Sequence, residues 1–174
     1  MSDSTDLLSR AVNQASAVLD AVRPDQLALP TPCGDWDVAA LVAHLVAAPA
    51  NFVAMSTGGT PDWSGGATAD GDPAAEFRAG ADKLLELRSS MGEGDESPPV
   101  DWQLAELGVH TWDLARATGQ TPELDDEVAE RGLAFMAGGL TPDNRGEAFG
   151  PEVTVPADAP AYDRLAAMAG RDPS

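Results

Sequence analysis

Glu106, His110 and Asp113 lie in one run, ELGVHTWDLARATG, at spacings that fit a helix. At 100° per residue the three fall within an arc of about 60°, flanked by Leu107 and Leu114 on one side and Val109 on the other. The opposite side offers Leu104, Gly108, Thr111, Trp112 and Ala115, so such a helix has no ordinary solvent face and its polar groups need partners. The only other histidine of the chain, His44, also sits in an apolar run, VAALVAHLVAA. Two imidazoles and a carboxylate around one point have the composition of an open divalent-metal site, with three protein ligands and further positions for water or substrate. The i, i+4 spacing of Glu106 and His110 lets both donors reach one ion. The plainer alternative is an intrahelical Glu106–His110 pair with His44 as a satisfied core histidine, and spacing alone favours it. Asp113, nearly one turn beyond His110, either orients that ring from behind or pairs with Arg116 at i, i+3.

Helices must position these groups. From Thr5 to Val22 the apolar residues Leu7, Leu8, Val12, Ala15, Val18, Leu19 and Val22 keep the helical period, with Ser4 placed to cap. The proline-rich PDQLALPTPCGDW then separates this helix from a second one, capped by Asp35 or Asp37, that carries His44. Pro49 lacks the amide that would bond the Leu45 carbonyl, which predicts a kink or a break just after His44. A third helix is expected from Pro73 to Met91, with Phe77, Ala81, Leu84 and Leu85 as its buried stripe. The fourth covers Asp101 to Thr118 and closes at Gly119. A fifth takes in Val128, Gly132, Leu133, Phe135, Met136 and Leu140, and APAYDRLAAMAG makes a short final one. Val153 to Val155 suits a brief extended piece. With no strand–helix alternation, these patterns predict an all-α fold: a four-helix bundle with short additional C-terminal helices, forming one domain over residues 1–174. Cys33 reads as a small buried residue anchoring the TPCGDW turn, in preference to a reactive thiol at a helix start. Trp36, Trp102 and Trp112 could line a pocket or simply pack bundle ends.

Composition removes several functions. The chain has 174 residues, 43% hydrophobic and 22% charged, with 10 Lys and Arg against 29 Asp and Glu, a formal charge of −19. That sign disfavours nucleic acid and anionic membrane surfaces. The opening MSDSTDLLSRAVNQ lacks a basic and then apolar leader, and no stretch is expected to reach the ~18 uncharged apolar residues of a membrane span, so a cytoplasmic protein is expected. One cysteine excludes an internal disulfide and a cysteine-built zinc site.

Three segments, LPTPCGDWDVAALVAHLV, AELGVHTWDLARATGQ and VPADAPAYDRLAAMAGRDP, together resemble the actinobacterial proteins related to the N-terminal domain of mycothiol-dependent maleylpyruvate isomerase. That family belongs to the DinB-like superfamily of metal-binding four-helix bundles and thiol S-transferases. The resemblance spans nearly the whole chain. It implies a DinB-like bundle in which His44, Glu106 and His110 hold a divalent metal, zinc or nickel first, with iron, cobalt and manganese also suited to such ligands. It further implies mycothiol as cosubstrate and an S-transferase acting on an electrophilic small molecule. A non-catalytic metal- or ligand-binding bundle and a metal-dependent hydrolase remain the alternatives. The implied partners are a small thiol and a small electrophile, and a homodimer is compatible with this reading. The family's isomerase carries an additional C-terminal domain whereas this sequence stops at AGRDPS, so efficient maleylpyruvate isomerisation is not expected of it.

Overall fold

A computed structural model describes residues 3–64, 71–91, 98–146 and 149–174 of the chain. Its helices are α1 (Asp3–Asp20), α2 (Val38–Ser56), α3 (Pro73–Ser90), α4 (Val100–Thr118), α5 (Asp126–Gly139) and α6 (Ala161–Met168), with a single 3-10 turn at Pro24–Gln26. The described residues contain no strand, only one isolated bridge between Pro30 and Asp37. The fold is therefore all-α, as the periodicity predicts. The Gly- and Asp-rich connections at 65–70 and 92–97 lie outside the described residues.

Local chemistry sets the helix ends. Asp37, not Asp35, caps α2 by accepting from the Ala40 amide, while the Leu29 and Leu27 carbonyls take the amides of Val38 and Ala39. The first orphan donors of the helix are thereby satisfied. Asp72 and Asp125 cap α3 and α5 in the same way. Gly119 closes α4 at φ 68°, a left-handed position where a side chain would be strained. Ser4 is not the cap of α1, because the helix already includes Asp3.

Of the kink or break expected at Pro49, the break is corrected. Pro49 does not break α2, which runs as one helix from Val38 to Ser56. Leu45, Ala48 and Phe52 around it are fully buried, and Gly80 of α3 lies against the proline ring, where a Cβ would sit 3.4 Å from Pro49 Cβ. Burial of such side chains, at about 1.5–3 kcal/mol for each large one, outweighs one missing backbone bond. The segment around Val153–Val155 forms no strand and is instead tied to α6 by Val153 N–H donating to the Ala167 carbonyl.

In the bundle, α1 packs on α3 and α4, and α2 packs on the same two helices from the other side. The core between them holds Leu7, Leu8, Leu41, Leu45, Phe52, Phe77, Leu84, Leu104 and Leu114. A second core forms on the far side of α4, where Ala105, Val109 and Trp112 meet Ala129 and Met136 of α5 and Ala161, Tyr162 and Leu165 of α6. Serving two cores leaves α4 with 14 of its 19 residues buried, which explains its missing solvent face. Helix α2 is longer and more apolar than expected: 19 residues with a mean hydropathy of 1.9, enough by length and composition to cross a membrane. In the bundle it is a core helix carrying His44 and Asn51, both buried.

Candidate metal centre

His44 projects from α2 toward α4, where Glu106 and His110 stand one turn apart. Its Nε2 lies 2.5 Å from Glu106 Oε1, and His110 Nε2 lies 3.4 Å from the same oxygen. The structure thus brings together His44, Glu106 and His110, with one donor atom from each within 4.8 Å of the other two. Behind this trio His110 Nδ1 is 3.1 Å from Asp113 Oδ2, and Asp113 is fully buried. Asp113 does not pair with Arg116, whose guanidinium donates to the Pro173 carbonyl and lies over the Trp112 ring. The partner of Asp113 is Arg171, from the segment after α6, through Nε to Oδ1 at 3.2 Å and Nη2 to Oδ2 at 2.9 Å.

The charges of the site are coupled. Burial opposes the charged form of His110, but the Glu106 charge, the hydrogen bond to Asp113 and the Cys33 contact overcome it and lift its pKa to about 10. Burial likewise opposes ionisation of Glu106, yet His110 and His44 hold its carboxyl below the usual range. Asp113 is depressed despite its burial by His110 and Arg171. In the absence of a metal the centre is thus a protonated imidazole held between two carboxylates.

Donor and acceptor logic tests whether a cation fits. Ionised Asp113 accepts only, so His110 Nδ1 must donate to it, and in the neutral ring Nε2 then presents a lone pair to Glu106. A lone pair aimed at a carboxylate oxygen is repulsive unless a proton or a metal ion stands between them. His44 places a further imidazole nitrogen at the same oxygen, and its Nδ1 is buried without a partner. Two imidazoles and one carboxylate suit a divalent transition metal with open positions. The residues present fit such an ion.

A cavity of about 1020 Å³ opens on the trio, just above the ~300–1,000 Å³ common for small-molecule sites. Trp36, Trp63 and Trp102 line it; the Trp36 ring centroid is 4.7 Å from that of His44, and Trp63 is at 5.6 Å. Phe135, Met136, Leu140 and Phe149 add apolar lining, and Cys33 and Arg171 also border the cavity. Trp112 does not line it; its Nε1 donates to Asp163 of α6. Cys33 is not the buried anchor that its sequence context suggests: it is half-buried on the cavity lining, its sulfur accepting from Arg171 Nη2 at 3.2 Å. Sequence reasoning passed over Trp63 and Arg171. The first lies in a Gly- and Asp-rich loop and the second near the chain end, neither with a periodic signal to mark it.

The sequence matches the family described as mycothiol maleylpyruvate isomerase N-terminal domain over residues 8–115, a stretch that contains His44, Glu106, His110 and Asp113. The chain belongs to this family. Two proteins of Mycobacterium tuberculosis, from strains CDC 1551 / Oshkosh and ATCC 25618 / H37Rv and both described as uncharacterized, are each 33% identical to it over 171 residues, covering 93% of this chain and 94% of theirs. No solved structure matches. Within this member of the isomerase N-terminal-domain family, Arg171 lies beyond the matched residues, so part of the site is built by the C-terminal segment.

Proposed function

We propose that this chain is a divalent-metal protein that brings a small thiol, mycothiol in the family's own description, to an uncharged electrophile as an S-transferase. The observation that carries this reading is the convergence of two imidazole Nε2 atoms on one carboxylate oxygen at the end of an aromatic-walled cavity. His44, Glu106 and His110 would hold the ion, zinc or nickel first and iron, cobalt or manganese next. When bound, such an ion supplies positive charge that favours the thiolate form of an added thiol at neutral pH. The protein's own part is to hold and shield. Asp113 orients His110, the indoles of Trp36, Trp63 and Trp102 exclude water, and the apolar side chains of Phe135, Met136, Leu140 and Phe149 receive the electrophile. No side-chain nucleophile is required. The net charge of −19 repels anions at long range and the walls are apolar, which together select an uncharged electrophile and leave nucleic acid and membranes outside the role. We place this activity in the cytoplasm.

Elemental analysis of purified protein tests the first part: about one equivalent of a transition metal per chain is expected, and His110→Ala should abolish most of it. Thiol consumption with an uncharged electrophile tests the second, comparing wild type, Glu106→Gln and chelator-treated protein. Turnover that survives both the substitution and the chelator would refute a metal-dependent transfer. A loaded protein that binds thiol without consuming it would instead be a ligand-binding bundle, and ester cleavage without thiol would indicate the hydrolase.

A further inference from the structure

We propose that Arg171 is a positioning residue of the centre: it fixes the Asp113 carboxylate, which fixes the His110 ring with Nε2 facing Glu106. The part of this that concerns a metal rests on the function proposed above, whereas the orientation of the ring does not.

The geometry is a relay of three buried groups. Asp113 is 0% exposed, Arg171 5% and His110 8%. Arg171 grips both oxygens of Asp113 in a planar fork, and Oδ2 also faces His110 Nδ1. A carboxylate so deep in the protein needs hydrogen-bond partners for its oxygens, and Arg171 and His110 supply them. Arg116, the nearest arginine in sequence, is engaged with Pro173 and Trp112 instead.

Arg171 is itself held in place. Its amide donates to the Ala166 carbonyl and its Nη1 to the Ala169 carbonyl, both at 2.9 Å. Gly170 turns the chain at φ +86° and lies so close to Gly150 that a Cβ on it would come within 2.6 Å of Gly150 Cα. The turn after α6 thus delivers a guanidinium to a point 58 residues away in sequence.

Loss of the arginine has a specific consequence. It removes both hydrogen bonds that fix the plane of the Asp113 carboxylate, so that Oδ2 is free to turn away from His110 Nδ1. The ring then loses the contact that holds its Nε2 toward Glu106.

Nitrogen-15 NMR of the two histidines tests this. In metal-free wild type, His110 should show a hydrogen-bonded, slowly exchanging Nδ1–H. That signal should be lost in Arg171→Met and kept in Arg171→Lys, which retains the charge. Zinc affinity measured by chelator competition should fall roughly 10–100-fold in Arg171→Met, as for other groups that orient a metal-bound histidine, with a smaller loss in Arg171→Lys. A wild-type spectrum without a bonded Nδ1–H overturns the proposal even if Arg171→Met fails to fold. So does a folded Arg171→Met protein that keeps both the signal and wild-type zinc affinity. A wild type that shows the bonded proton, loses it in Arg171→Met and binds no zinc supports the relay and overturns the metal reading alone.

Discussion

At the scale of single residues, the centre couples protons to stability in a direction that can be worked out. His110 has a folded pKa of about 10 against an ordinary 6.5, so its pairing stabilises the metal-free fold fully below 6.5 and is lost as pH rises through 10. Glu106 and Asp113 are shifted the other way; their contribution is complete above their ordinary values of 4.5 and 3.8 and disappears on acidification through their lower folded values. Chelator-treated protein is therefore expected to be most stable between the two limits, with its melting temperature declining from neutral pH toward pH 10. Melting curves of wild type and His110→Ala across that range check this. The alkaline decline should be much weaker in the variant, and equal slopes would show that His110 is not the group responsible.

Among the elements, α4 joins the two cores, packing on α1, α2, α5 and α6. Its close neighbour α5 approaches at Gly132, where a Cβ would fall 2.9 Å from the Ala105 Cα. Backbone cannot yield as a side-chain tip can, so Gly132→Val should separate the helices and cost about 1–3 kcal/mol or more in denaturant unfolding. Gly138, with nothing within 4 Å of its Cβ position, is the control, expected to tolerate Ala with little change. The periods of α1 to α5 were legible in the sequence because each helix places its apolar residues on a local repeat. The Glu106, His110 and Asp113 arc was legible for the same reason. What escaped local reasoning was tertiary in origin. Pro49 sits mid-helix because packing against Gly80 and the core holds α2 together. Cys33 lies on a cavity wall because Arg171, distant in sequence, reaches its sulfur. Asp113 chose Arg171 over the nearer Arg116, a preference that no i, i+3 rule can express.

For the molecule as a whole, charge and cavity make a joint prediction about substrates. A chain with a formal charge of −19 surrounds itself with a field that slows the approach of anions, and salt screens that field over a Debye length of about 10 Å at 0.1 M. Thiol consumption with an anionic electrophile should therefore rise with added salt, while the rate with an uncharged one should barely change. Stopped-flow or initial-rate measurements at low and high ionic strength check this. A rate for the anion that falls with salt would mean that local positive charge at the centre governs its encounter.

The aromatic wall has one more consequence. Of the four tryptophans in the chain, Trp36, Trp63 and Trp102 border the cavity, while Trp112 is turned away toward α6. The protein thereby carries its own optical gauge of what occupies the cavity. A paramagnetic ion such as Co²⁺ or Ni²⁺ should quench most of the emission and leave a residual signal from Trp112, whereas Zn²⁺ should quench little. An apolar ligand that displaces water from the three indoles should shift their emission to the blue. Single Trp→Phe replacements would then assign each change to one side of the cavity, so that filling of the site by ion and by ligand can be followed separately and without any added label.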